Sequence, residues 1–190
     1  MQVPIDDFER RYRDDPDPWD FATSEYEQGR FDRTVACLAG RRFRRAFEPG
    51  CAGGELTARL AGHCDELVAW DGAPSVVDHA RRRLAAAHVA NVELDVGVIP
   101  ADWPTGRFDL IVLSEIGYYF DRSALDDLIT TTASSLTADG LLVATHWLGR
   151  SADHLLAGDE VHTAIDSCTE LEHRDGERYP GFRIDRWDRR

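Results

Sequence analysis

Apolar residues in this chain come in short runs divided by polar, turn-forming stretches, and from residue 43 onward those runs alternate between two periods. Phe43 to Glu48 reads as a first strand, with a helix over 55–61 behind it. Glu66-Leu67-Val68-Ala69-Trp70 is a second apolar run, closed by Asp71. Pro74 suits the first turn of a helix, and Val77, Ala80, Leu84 and Ala87 follow at three- and four-residue steps as one buried stripe. Val92 to Val96 reads as a third strand, and 108–113 as a fully buried fourth. Ser123-Ala124-Leu125-Asp126 has the form of a capping box. The helix it opens turns Leu125, Leu128, Ile129, Thr132 and Leu136 inward, and Asp139-Gly140 ends it. Leu141 to Thr145 gives a fifth strand. Strands alternating with helices predict a parallel, doubly wound α/β sheet. Two last runs, 171–174 and 182–187, separated by Asp175-Gly176 and Pro180-Gly181, predict a hairpin.

The most informative local pattern lies where the first strand meets its helix, at Glu48-Pro49-Gly50-Cys51-Ala52-Gly53-Gly54. Glycines let a backbone bend sharply and approach a ligand closely, and an acid at the end of the next strand, here Asp71, suits the two hydroxyls of a ribose. The pattern predicts a nucleoside site at the edge of a parallel sheet. The dinucleotide fingerprint carries three glycines, G-x-G-x-x-G. Here the order is Glu48, Gly50, Gly53, with an acid in place of the first glycine. An anion at that position sits poorly beside a diphosphate and suits a cationic group.

Composition narrows the classes. A length of 190 residues allows one domain with one real core, and 43% hydrophobic residues argue for a folded globule. No apolar run approaches the ~20 residues a membrane span needs. The acidic start, Met1 to Asp7, lacks the order of a secretion signal, so a cytoplasmic protein is expected. Cys37, Cys51, Cys64 and Cys168 form no C-x-x-C pair and read as reduced thiols. The histidines show no ligand spacing, so no metal is expected. The net charge is −13, and every basic residue is arginine. Nucleic acid is therefore an unexpected acceptor. The two arginine clusters, 41–45 and 81–83, read as solvated faces.

The glycine segment resembles motif I of the class I S-adenosylmethionine-dependent methyltransferases. A narrower resemblance, to the NodS family of nodulation N-methyltransferases, is carried by Asp17-Pro18-Trp19-Asp20, Ser24-x-Tyr26-Glu27, Phe31-Asp32-Arg33-Thr34, Cys64-Asp65-Glu66-Leu67, Ala101-Asp102-Trp103-Pro104, Leu113-Ser114-Glu115, Tyr118-Tyr119 and His146-Trp147. It implies a Rossmann-like, seven-stranded, mostly parallel sheet with helices on both faces and a C-terminal antiparallel pair. Residues 1–40 would be an N-terminal lid and 41–190 the methyltransferase domain. It also implies S-adenosylmethionine as cofactor, held by Trp19, Tyr26, Glu48, Gly50, Cys51, Gly53, Asp71, Val98, Ile99 and Ser114. In one respect the chain departs from many class I enzymes. They place an aspartate at the end of strand three for the adenine amino group, where this chain has Val98. Val98 and Ile99 would then sandwich the adenine, with Asp102 a more distant substitute.

Methyl transfer needs a nucleophile, alignment and exclusion of water, and alignment alone supplies up to ~7–11 kcal/mol of the barrier. A general base adds typically ~10²–10⁴-fold. Ligands bind at strand carboxyl ends in such sheets, which makes Glu115, Tyr118 and His146 the catalytic candidates. The resemblance implies a small-molecule acceptor, an amino sugar or related amine methylated at nitrogen. Two alternatives remain at this level. One is O-methylation of a hydroxylated natural product with His146 as base. The other is cofactor binding without catalysis.

Overall fold

The computed structural model describes residues 1–190, which form two compact units: Pro4–Val98, and Met1–Val3 with Ile99–Arg190. The seven strands have the order β3-β2-β1-β4-β5-β7-β6, in a Rossmann-like sheet flanked by helices.

The first unit carries α1 (Ile5–Asp14), α2 (Glu25–Ala36), β1 (Phe43–Pro49), α3 (Glu55–Leu60), β2 (Cys64–Asp71), α4 (Pro74–Ala86) and β3 (Val92–Val96). β1 pairs with β2 and β2 with β3, both in parallel. Phe43, Ala46 and Phe47 on β1 and Leu67, Val68 and Ala69 on β2 are buried, as unbroken apolar runs in a covered parallel sheet should be. Pro74 stands in the first turn of α4, whose inner stripe is Val76, Val77, Ala80 and Leu84. The predicted stripe stops one turn early: Ala87 is the exposed residue that ends the helix.

The second unit carries β4 (Phe108–Ser114), α5 (Arg122–Ser135), β5 (Leu136–Trp147), α6 (Gly158–Asp166), β6 (Leu171–Arg178) and β7 (Phe182–Arg189). β4 and β5 run parallel, while β7 lies antiparallel to both β5 and β6. Three local readings shift. The α5 cap is Asp121, not Ser123; its carboxylate accepts from Ala124 N at 3.0 Å and also meets the Met1 ammonium at 2.7 Å. Asp139-Gly140 does not end a helix. α5 stops at Ser135, and 137–140 bulge out of β5, since Phe108 pairs with Leu136 while Leu110 already pairs with Leu141. Asp175-Gly176 lies inside β6, at a shift of register, and the turn falls at 179–181 instead.

Candidate active site

The glycine loop between β1 and α3 is shaped by left-handed backbone at Gly50 (φ 73°), Ala52 (φ 46°) and Gly54 (φ 82°). Gly54 carries the stricter demand, because a Cβ there would stand 3.2 Å from Ala80 on α4. Gly53 has room to spare, with its nearest neighbour at 3.5 Å. The loop is tied to β2 at its base, where Gly50 N and Cys51 N both donate to the Trp70 carbonyl, at 2.7 and 3.0 Å.

Asp71 closes the arrangement. One carboxylate oxygen accepts from Ala52 N in the glycine loop at 3.0 Å, and the other accepts from Ala73 N in the following turn, also at 3.0 Å. A carboxylate oxygen has two lone-pair sites, so the pair of oxygens keeps lone-pair capacity beyond its backbone donors for a ligand hydroxyl. Burial pushes the Asp71 carboxyl up, against the backbone donors of Ala73, Ala52 and Gly72. Glu48 at the end of β1 is more enclosed, 2% exposed. Burial raises its pKa to about 8, with Thr57 acting against the rise and Asp71 adding to it. One of its oxygens, Oε2, is buried without a hydrogen-bond partner. Burial, then Asp71 and Glu48, push the Cys51 thiol up as well, so it is no nucleophile. Val98 lies beside Gly72, 3.6 Å from where a Cβ on that glycine would stand.

The N-terminal helices join this unit. Tyr12, Ala73 and Val76 form a buried cluster, with Phe8, Trp19 and Ala52 packed against it. Trp19 meets Tyr12 edge-on, ring centroids 5.5 Å apart, and stacks on Phe21 at 5.7 Å. Glu9 on α1 reaches the start of α4, accepting from Ser75 N at 3.1 Å and Ser75 Oγ at 2.8 Å. Ile5 packs so closely on Gly72 that a Cβ there would fall 2.3 Å from it. Tyr26 stands exposed on α2.

In the second unit, Ile99 is half-buried at the start, and Ser114 closes β4 beside Thr145 of β5. Glu115 follows with φ 61°, a conformation uncommon outside glycine and often found at functional sites. Its carboxylate accepts from Trp147 N at 2.6 Å and from the Tyr118 hydroxyl at 2.8 Å. Tyr118 is buried and stacks on His154, ring centroids 3.7 Å apart. His146 is wholly buried, and its Nε2 accepts from Gly117 N at 3.0 Å. That contact takes up the lone pair a general base would use.

The protein-family comparison matches the description "Nodulation protein S (NodS)" over residues 2–175. This chain belongs to the NodS family. Nodulation protein S of Rhizobium tropici is 36% identical over 105 residues, covering 54% of this chain and 43% of that protein. The Bradyrhizobium diazoefficiens protein of the same name is 31% identical over 174 residues, 83% of this chain and 78% of its own. Among solved structures, the N-methyltransferase NodS of Bradyrhizobium japonicum WM9, in complex with S-adenosyl-L-homocysteine, superposes with a TM-score of 0.84 at 21% identity, covering 97% of this chain and 98% of that one. This NodS-family chain is an S-adenosylmethionine-dependent methyltransferase acting on a small molecule.

Two residues of this NodS-family site escaped the sequence reading. Gly54, rather than Gly53, holds the strained loop position. The adjacent pair of glycines signalled it, but only the approach of α4 separates the two. Arg83, assigned to a solvated face, instead donates to the Gly53 carbonyl at 2.8 Å and pairs with Glu55 at 2.6 Å. No sequence signal marks that clamp. No helix is long and apolar enough to cross a membrane.

Proposed function

We propose that the chain transfers a methyl group from S-adenosylmethionine to the nitrogen of an amino sugar or related amine. The observation that carries the cofactor half is the Asp71 carboxylate, bound by backbone N–H groups of two loops with lone pairs to spare for ribose hydroxyls. The residues fit the cofactor in charge as well, because a buried, unpartnered glutamate oxygen is a place for an ammonium group. When bound, the cofactor would supply an electrophilic methyl on a sulfonium; as the amine lone pair bonds to that carbon the C–S bond would break, leaving a neutral thioether and an N-methylammonium that sheds its extra proton to solvent.

The chain's own part is to bind, orient and exclude water. Gly50 to Gly54 admit the ligand to the backbone, Asp71 takes the ribose, and Val98 stands by the adenine. Residues 1–40 act as the lid, with Trp19 packed on the Tyr12, Ala73 and Val76 cluster and Tyr26 exposed on α2. Glu115 and Tyr118 are the acceptor contacts: a carboxylate suits an amine, and the Tyr118 hydroxyl already bonded to it fixes its rotamer. The oxygen-acceptor alternative loses its base, since His146 Nε2 is committed to Gly117. The N-methylation of the Bradyrhizobium japonicum relative supports nitrogen as the target.

The test is transfer of labelled methyl from S-adenosylmethionine to deacetylated chitooligosaccharides and simple aminosugars, with S-adenosylhomocysteine titrated alongside. Label on sugar nitrogen is the expected result. Label on oxygen, or tight S-adenosylhomocysteine binding with no amine accepted, overturns the acceptor reading. Absence of binding overturns the cofactor reading.

A further inference from the structure

Four groups of the second unit form one unbroken hydrogen-bond chain. Gly117 N meets His146 Nε2 at 3.0 Å, His146 Nδ1 meets His162 Nε2 at 3.1 Å, and His162 Nδ1 meets Asp185 Oδ2 at 2.6 Å. Both histidines are wholly buried, and Asp185 is 3% exposed. A backbone N–H can only donate, so His146 Nε2 accepts and the His146 proton sits on Nδ1. That proton faces His162 Nε2, which must accept in turn. His162 therefore carries its own proton on Nδ1 and donates it to Asp185. Any other arrangement sets two donors or two acceptors face to face away from water. The order is imposed from both ends, by a main-chain donor and a carboxylate.

The surroundings are cut to fit this chain. A Cβ on Gly117 would come within 2.4 Å of Val161 and 2.9 Å of His146 Nε2. One on Gly158 would fall 2.4 Å from the Trp147 carbonyl oxygen, and one on Gly176 only 1.6 Å from Asp185 Oδ1. Gly176 pairs with Asp185 just past the register shift of β6, and its lack of a Cβ leaves room for the Asp185 carboxylate. Arg183 pairs with Asp185, His173 stands 3.4 Å from its other oxygen, and Tyr118 sets its ring edge against His146. His162 packs beside the ring of Trp187.

We propose that His162 and Asp185 are positioning residues for methyl transfer: they fix the His146 tautomer, and His146, through Gly117 N–H, holds the 115–119 turn that carries Glu115 and Tyr118. The proposal rests on the reading of Glu115 and Tyr118 as acceptor contacts. It gives His146 a role other than proton abstraction. Its Nε2 is an anchor for backbone, and the strained Glu115 that begins the turn is held between that anchor and Trp147 N.

Two variants separate positioning from bulk packing. In His162→Gln the side-chain oxygen can still accept from His146 Nδ1, whereas His162→Leu offers no acceptor. Nitrogen-detected NMR of the imidazoles is expected to show His146 protonated on Nδ1 in the wild type and in His162→Gln, and that state lost in His162→Leu. With a glucosamine tetramer as probe, His162→Leu is expected to lose at least ~10-fold in kcat at unchanged S-adenosylhomocysteine affinity, with His162→Gln close to wild type. A wild-type His146 protonated on Nε2, or a folded His162→Leu with wild-type kcat, overturns the proposal. If the wild type methylates no amine while binding S-adenosylhomocysteine, the acceptor reading fails by itself. The amide resonances of Gly117 and Tyr118 still test the chain, and unshifted positions in His162→Leu overturn it. Should His162→Leu not fold, the wild-type and His162→Gln tautomers decide.

Discussion

Asp71 has both of its oxygens engaged by backbone donors from different loops, so removing it does more than delete a ribose contact. Asp71→Ala strands the Ala52 and Ala73 N–H groups, each a loss of about 1–3 kcal/mol if buried, and both stability and affinity should fall. Asp71→Asn is the cleaner variant. Its oxygen keeps one of the two backbone bonds while its NH2 faces the other N–H. The variant is expected to weaken S-adenosylhomocysteine binding about 10- to 100-fold, as loss of a charged hydrogen bond worth about 1.5–3 kcal/mol would, with a smaller change in Tm than Asp71→Ala. Unchanged affinity in a calorimetric titration would remove Asp71 from the ribose role. Glu48 gives a pH signature. An unfolded Glu ionises near its ordinary 4.5 and the folded one near about 8, so between those values the folded state holds the extra proton. Raising the pH through that window therefore costs stability, with a limiting slope of about 1.4 kcal/mol per pH unit. Urea unfolding at pH 5, 6.5 and 8 should show this decline in the wild type and a flatter profile in Glu48→Gln; parallel profiles would refute it. A cation seated beside Glu48 should also drive off its proton, so S-adenosylhomocysteine binding at pH 7 should release protons, read as a dependence of calorimetric heat on buffer ionisation enthalpy.

At the scale of elements, α1 holds to α4 through one carboxylate and an apolar seam. Burial pushes the Glu9 carboxyl up, but the Ser75 N and Oγ bonds and Arg13 outweigh it and leave the pKa lowered. Glu9 thus serves as the cap that α4 lacks in its own sequence, since the Ala73 methyl accepts no hydrogen bond. Substituting a helix cap costs about 0.5–2 kcal/mol. Glu9→Ala is expected to speed proteolysis within residues 1–24 and quicken S-adenosylhomocysteine release, with the main unfolding transition nearly unmoved. Equal protease sensitivity would detach Glu9 from the proposed lid. Because the folded pKa lies below the unfolded one, this contribution is full above the ordinary carboxylate range and fades as pH falls through the folded value. Trp19→Ala should likewise weaken S-adenosylhomocysteine binding more than it lowers Tm, because the ring is only partly buried and packs on the cluster of Tyr12, Ala73 and Val76. The elements themselves were largely legible, since β1, β2, α4, β3 and β4 follow the apolar periods to within a residue or two. The misreadings fell at Asp121, at the 137–140 bulge and at Gly176, and they share a cause. Each depends on a partner distant in sequence: the Met1 ammonium, the register against β4, and the Asp185 carboxylate.

For the molecule as a whole, the net charge of −13 with 22 arginines already spoke against nucleic acid. The arginines of the two clusters mostly turn to local partners, Arg42 to Asp65, Arg45 to Glu66, Arg81 to Asp78 and Arg83 to the glycine loop. Fluorescence anisotropy with a labelled 20-mer DNA at low salt should therefore show no binding. Apolar periodicity determined the α/β class, because a buried strand and an amphipathic helix each impose their own spacing on the chain. Glu48, Gly50 and Asp71 were enough to raise the expectation of a nucleoside site, because turn geometry and ribose chemistry act over short stretches of sequence. Tertiary structure alone decided that Glu48 is buried with its pKa raised, that Gly54 and Arg83 shape the loop, and that His146 stands in a hydrogen-bond chain ending at Asp185. Desolvation and proton placement depend on what surrounds a group on every side, and those neighbours come from α4, α6 and β7, far along the chain from the residues they govern.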